Sequence, residues 1–337
     1  MTGKQRVAAA FKGELGDFIP AYPITGQFNA QLIGASIKEF LTDSRVFVKA
    51  QVASYERFKP DIIVMMGDLL MEAEALGNKI KFPHDGMCVS ETLSLAEKKD
   101  LAGLSVPNPY KDARMPNYLE ACREAKRQLQ ECPVSGVTSG PWSIAVGLRG
   151  ATDLLRDSWK DKEFVHELMT FTTEVAIAFG EAVRDQGVGL SYSEAPASCS
   201  LISPQTYREF IFPHHKRIVD HFREKRVFIG FHICGYADPI LEDIVATGAS
   251  NLSIDDPSDL ERAMSVADKK SVVIGNINTN LFSLGSRKDM ERAVGGCLEV
   301  VGKTSGYILS TGCEVPGIAS PETVDWFMEA ARTLGKN

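Results

Sequence analysis

The chain of 337 residues has no run approaching 18 consecutive apolar residues, so no segment reads as a membrane span. The opening stretch MTGKQRVAAAFKGELGD lacks the apolar core and small-residue cleavage site of a secretory signal and reads as a short amphipathic helix within residues 1–15. There is no G-x-G-x-x-G after the first candidate strand and no P-loop, which removes the usual nucleotide-binding signatures. There is no low-complexity tract, no block of like charge and no Pro/Gly/Ser linker, so a single domain over residues 1–337 is expected. Net charge is −7, which argues against nucleic acid or an anionic membrane as a partner. The seven cysteines are an odd number in a long chain without an export signal, and they predict reduced thiols in a cytoplasm rather than a disulfide framework.

What is present is alternation. Short apolar runs occur at Phe18–Ile24, Asp61–Met66, Val134–Thr138, Gly189–Glu194, Val227–Cys234, Asn251–Asp255, Val272–Ile277 and Tyr307–Thr311. Helical patterns follow nearly all of them, most clearly at Asp161–Gln186 and Ser203–Lys225. Other helices are expected to begin at Asp238-Pro239, Asp256-Pro257-Ser258-Asp259 and Ser320-Pro321-Glu322, where Pro in the first turn follows a capping residue type. Eight strands alternating with helices predict an α/β protein, a (β/α)8 TIM barrel. Residues 79–115 break the rhythm and read as an insertion after the second strand, with a short hairpin around Lys79–Thr92.

In such a barrel the site lies at the C-terminal ends of the strands. Asp68 follows the second strand, Trp142 the third, and Glu194 ends the fourth; His232 and Cys234 end the fifth, Asp255 and Asp256 the sixth, Asn276 and Asn278 the seventh, and Cys313 the eighth. Positions i and i+2 at a strand end point the same way, so His232 and Cys234 aim together into the mouth. Cys313, 79 positions after Cys234, comes close if the barrel closes. One imidazole and two thiolates form a Cys2His set that suits Zn²⁺ with an open fourth position. A His-x-Cys pair also occurs by chance, and Cys313 equally fits a buried small hydrophobe. Cys122 and Cys297 read as packing residues, and His214-His215 as a solvated or satisfied pair. Asp68 and Glu194 fit either chemistry or loop and helix capping, and one of Asp255 and Asp256 fits an N-cap. The other fits a ligand-supporting or ligating place.

The segments HICG, NLSIDD, VIGNIN and STGCEVP, the last followed by a Ser-Pro-Glu helix, resemble the uroporphyrinogen decarboxylase superfamily. They look most like its branch of methylcobamide:coenzyme M methyltransferases and related corrinoid-dependent enzymes. The likeness extends to GELGDFIPAYP and ISPQTYREFIFPHHKRI, and so over nearly the whole chain. It implies zinc on His232, Cys234 and Cys313, and a methylcobalamin-type corrinoid carried by a partner protein. The paired arginines that hold porphyrin carboxylates in the decarboxylases are missing from YPITGQFNAQLIG. Asp68 resembles the pyrrole-binding aspartate of the decarboxylases.

The expectation is therefore a zinc methyltransferase acting between a corrinoid protein and a small molecule. That molecule is a thiol acceptor such as coenzyme M, or an O-, N- or S-methylated donor such as a methoxylated aromatic. Glu194 and Asp68 are the candidate catalytic groups; Asn276, Asn278, Asp255 and Trp142 are candidate substrate contacts. The alternatives are porphyrinogen decarboxylation without a cofactor, and a non-catalytic zinc- or corrinoid-binding module.

Overall fold

A computed structural model describes residues 1–83, 86–303 and 305–337. Its strands are β1 (Ala21–Tyr22), β2 (Ile63–Met65), β3 (Ile80–Lys81), β4 (Val89–Ser90), β5 (Val134–Ser139), β6 (Gly189–Ser193), β7 (Ile229–Ile233), β8 (Asn251–Ile254), β9 (Val272–Ile277) and β10 (Tyr307–Thr311). Eight of them form one parallel sheet in the order β1-β10-β9-β8-β7-β6-β5-β2. With helices between successive strands, this is the expected (β/α)8 barrel. The seam between β1 and β2 is joined through Asp61. Its N–H donates to the Ala21 carbonyl at 2.9 Å, and its carboxylate accepts the Ala21 N–H at 2.9 Å. Arg6 holds the other carboxylate oxygen at 2.9 Å.

The first strand is shorter than Phe18–Ile24 because Pro20 and Pro23 remove ladder donors on both sides. The strand expected from Val227 starts at Ile229: Phe228 is 78% exposed and Arg226 turns the chain with φ +58°. The predicted helix over Ser203–Lys225 is interrupted. A widened π turn, Tyr207–Ile211, separates Pro204–Thr206 from Phe212–Glu224, and Pro213 cannot donate to the preceding turn. The helix expected from Asp161 runs Lys162–Asp185 with Asp161 as its cap. In the insertion, β3 and β4 pair antiparallel as the expected hairpin; His84 and Asp85 lie outside the described residues.

Two apolar layers hold the barrel. Tyr22, Val272, Ile274 and Ile308 pack with Val7 and Ala10 of the helix Gly3–Lys12, which starts with a Thr2–Gln5 capping box. The outer faces, including Tyr192, Phe231 and Leu309, pack with Phe179, Phe222 and Phe327 of the surrounding helices. Among the described residues no helix is long and apolar enough to cross a membrane.

Candidate metal centre and flanking clefts

His232 lies on β7 directly opposite Ser253 of β8, and the parallel register brings the Ser253 hydroxyl to 3.0 Å from Nδ1. Nε2 is then the nitrogen left for another partner. Cys234 leaves the same strand end, followed by Gly235 at φ +80°. Cys313 leaves β10, two residues past Thr311. One ligand atom from each of His232, Cys234 and Cys313 lies within 4.8 Å of the others, and the two sulfurs are 3.5 Å apart. Tetrahedral zinc with ~2.3 Å bonds to sulfur spaces two thiolates by about 3.8 Å. The donor types and their spacing fit that ion with little movement.

A hydrogen bond links the two sulfurs. Cys313 is pushed down to about 4 by the hydrogen bond from Cys234, against burial and with help from His232. Cys234 is pushed up by its bond to Cys313, by burial and by the charges of Cys313 and Asp255. A thiolate is thus favoured at this mouth before any cation arrives.

Asp255 supports the loop rather than closing the triad. Its oxygens accept N–H bonds from Gly235 and Asp256, both at 2.8 Å, and Cys234 Sγ lies 3.2 Å away. Asn276 donates to the carbonyls of Asp255 and Ser258 at 3.2 and 2.8 Å, and Asn278 donates to the Asp256 carboxylate at 2.8 Å. Neither Asp255 nor Asp256 is an N-cap. The chain turns first, with Ser258 N–H on the Asp255 carbonyl, and Asp259 caps the helix Leu260–Ala267.

The other predicted residues sit apart from the triad. Glu194 is fully buried. Its Oε1 accepts from Trp142 N–H at 3.1 Å and lies 3.0 Å from His215 Nε2; its Oε2 accepts from the N–H and hydroxyl of Ser143 at 2.8 and 2.7 Å. It caps the helix Pro141–Arg149 from outside. Gly140 makes room for it, since a Cβ there would lie 2.3 Å from the carboxyl carbon. His215 bonds Tyr207 through its other nitrogen at 3.0 Å and stacks on Phe231, while His214 Nδ1 lies 2.7 Å from the Thr173 hydroxyl. Both histidines are satisfied, as expected. Trp142 is buried in the core, and Ser143 and Val146 form the cleft wall at this helix. Asp68 takes two bonds from Arg114, at 2.6 and 3.2 Å, and accepts Leu70 N–H at 2.9 Å.

Two clefts open on the triad. One, of about 490 Å³, reaches Cys234 between Leu69, Val146, Pro196 and Leu201. The other, of about 620 Å³, reaches Cys313 between Phe28, Ile37, Val315 and Ile318, with Gln27, Gln31, Ser36 and Glu314 as polar groups. Burial, ahead of the charge on Cys313, pushes the Glu314 carboxyl up to about 8.

Sequence reasoning missed Arg114, Ser253, Gln27 and Glu72. Glu72 is buried beside Ser139, accepting its N–H at 2.7 Å and its hydroxyl at 2.9 Å. Arg114 closes the insertion, far in sequence from Asp68, and no local pattern marks it. Ser253 was accessible in principle, since it precedes Asp255 by two positions and shares its face.

Comparisons with known proteins agree with this fold. The family model for uroporphyrinogen decarboxylase (URO-D) matches residues 2–334. The methylcobamide:CoM methyltransferase MtaA of Methanosarcina barkeri is 25% identical over 330 residues, covering 96% of this chain and 95% of its own. The methylated-thiol–coenzyme M methyltransferase of Methanosarcina mazei is 26% identical over 269 residues, covering 76% and 70%. A uroporphyrinogen decarboxylase of Carboxydothermus hydrogenoformans is 23% identical over 307 residues, covering 89% and 86%. A solved methyltransferase from Methanosarcina mazei superposes with a TM-score of 0.89 at 23% identity, covering 99% of both chains, which establishes the shared fold. With its whole length matched by the family model, the chain belongs to the uroporphyrinogen decarboxylase family of enzymes.

Proposed function

We propose that this protein is a cytoplasmic, single-domain, zinc-dependent methyltransferase that moves a methyl group between a corrinoid held on a partner protein and a small substrate. The carrying observation is the convergence of His232, Cys234 and Cys313 at one rim of the barrel, each with a donor atom within 4.8 Å of the others. The relatives named as methylcobamide:CoM methyltransferases support the corrinoid partner and a thiol substrate.

His232, Cys234 and Cys313 would hold the ion. When bound, zinc supplies Lewis acidity that keeps a substrate thiol deprotonated at neutral pH or polarises the leaving atom of a methylated donor. Ser253 fixes the ring orientation of His232 through Nδ1. Asp255 holds the Gly235 turn that aims Cys234, and Asn276 and Asn278 hold the loop carrying Asp255 and Asp256. Asp68 and Glu194 act by position: the first anchors Arg114 and the second the helix beside the Cys234 cleft.

The test combines metal analysis with methyl transfer from free methylcobalamin to thiols, followed by the cobalamin spectrum. The expected result is about one zinc per chain, with thiol-dependent demethylation that a chelator stops. Cys313→Ala should lose zinc and activity and keep its circular dichroism. Full activity in metal-free protein, or a Cys313→Ala variant with normal zinc, would overturn the proposal. Porphyrinogen turnover indifferent to chelation would favour decarboxylation.

A further inference from the structure

We infer that the small substrate exchanging methyl at this centre is an uncharged, mainly apolar molecule bearing a hydrogen-bond donor, and is disfavoured when its tail is anionic. This rests on the methyltransferase reading and adds the substrate class.

The inference starts from Gln27. Its side chain is 8% exposed, and its Nε2 donates to the Gly67 carbonyl at 3.3 Å. Turning the amide over would set two carbonyl oxygens against each other, so this bond fixes its orientation. The Oε1 atom is then left buried with no hydrogen-bond partner. A buried acceptor without a partner is unfavourable, and a donor arriving on a ligand removes the deficit. Gln27 lines the same cleft as Cys313, so a ligand donor that draws this amide oxygen toward the cleft also lies beside the metal triad.

The charge of the surroundings gives the second constraint. Among the described residues, neither cleft is lined by Lys or Arg. The nearby guanidinium of Arg114 is already held by Asp68 and Glu74, both at 2.6 Å. The titratable side chain beside Gln27 is an acid: Glu314 accepts the Gln27 N–H at 2.5 Å and fills the space that Gly26 leaves, where a Cβ would lie 2.1 Å from it. A sulfonate or carboxylate entering here loses its hydration with no cation to replace it. Phe28, Ile37, Val315 and Ile318 favour an apolar body instead, and about 620 Å³ accommodates a ring.

Four thiols test this. Ethanethiol, 2-mercaptoethanol and 2-mercaptoethanesulfonate differ only in the tail, and benzyl mercaptan fills more of the cleft. Binding is read on protein loaded with Co²⁺ in place of zinc, from the sulfur-to-cobalt absorption. Transfer is read with zinc protein and free methylcobalamin. There the thiol sulfur forms the S–CH3 bond, its proton goes to solvent, and the Co–C bond breaks leaving its electron pair as Co(I). The expected order puts 2-mercaptoethanol and benzyl mercaptan about tenfold or more ahead of the sulfonate. Gln27→Leu should erase the advantage of 2-mercaptoethanol over ethanethiol without changing cobalt uptake. A sulfonate that binds as well as 2-mercaptoethanol overturns the inference and leaves the methyltransferase reading standing. Neutral thiols that bind in the expected order without demethylating methylcobalamin support the cleft preference and overturn the thiol-acceptor form of the methyltransferase reading. Protein that takes up no cobalt overturns both.

Discussion

His232 arrives at the barrel mouth with one nitrogen already engaged. The Ser253 hydroxyl at 3.0 Å settles which nitrogen faces the sulfurs, and fixes the ring before any cation binds. Ser253→Ala is expected to weaken zinc about 10–100-fold while leaving thermal stability nearly unchanged, read by competition with a chromogenic chelator. Gly140 is a second residue whose identity is dictated by a neighbour. A methyl group there would sit 2.3 Å from the Glu194 carboxyl, so Gly140→Ala should destabilise the fold by about 1–3 kcal/mol, read as a lower urea midpoint. The triad was legible in the sequence because two of its members share a strand end and the third ends another strand of the same barrel. Gln27 and Arg114 were not. Their significance lies in what they face across the fold, and an ordinary glutamine or arginine carries no local sign of that.

At the level of elements, the helix Pro141–Arg149 shows how a charge at a strand end can serve architecture. Its first N–H groups have no cap from their own segment, and the carboxylate of Glu194, just past β6, supplies it. Each oxygen faces a backbone N–H. In Glu194→Gln the new amide nitrogen must therefore oppose a donor whichever way it turns. A loss of about 1–3 kcal/mol in chemical denaturation is expected, with zinc content retained. Unchanged stability with lost methyl transfer would instead place Glu194 at the chemistry. All eight barrel strands were readable from apolar runs and Pro-marked helix starts. Their ends were less so. Pro20 and Pro23 shorten β1, Phe228 faces solvent although it continues an apolar run, and the π turn before Pro213 has no signature in hydrophobic period.

For the whole molecule, His214 is one group that couples stability to mild acid. Burial, reinforced by the neighbouring His215 and Arg217, pushes its imidazole down to about 4 from an ordinary 6.5. The unfolded chain therefore takes up this proton near pH 6.5, whereas the folded chain resists it until about pH 4. Stability from this source falls as pH drops through that window and is level below it. His214→Gln, which can still bond Thr173, should flatten that part of the stability–pH curve in thermal melts. The placement of the sulfurs has a further consequence. Cys234 and Cys313 come from strands that are not neighbours, and the second follows the last strand. A polypeptide still being synthesised offers two of the three ligands, His232 and Cys234, until Cys313 emerges. Three-ligand capture of the ion therefore waits for the strand Tyr307–Thr311 to join the barrel, and metal content should report that closure more strictly than helix content does.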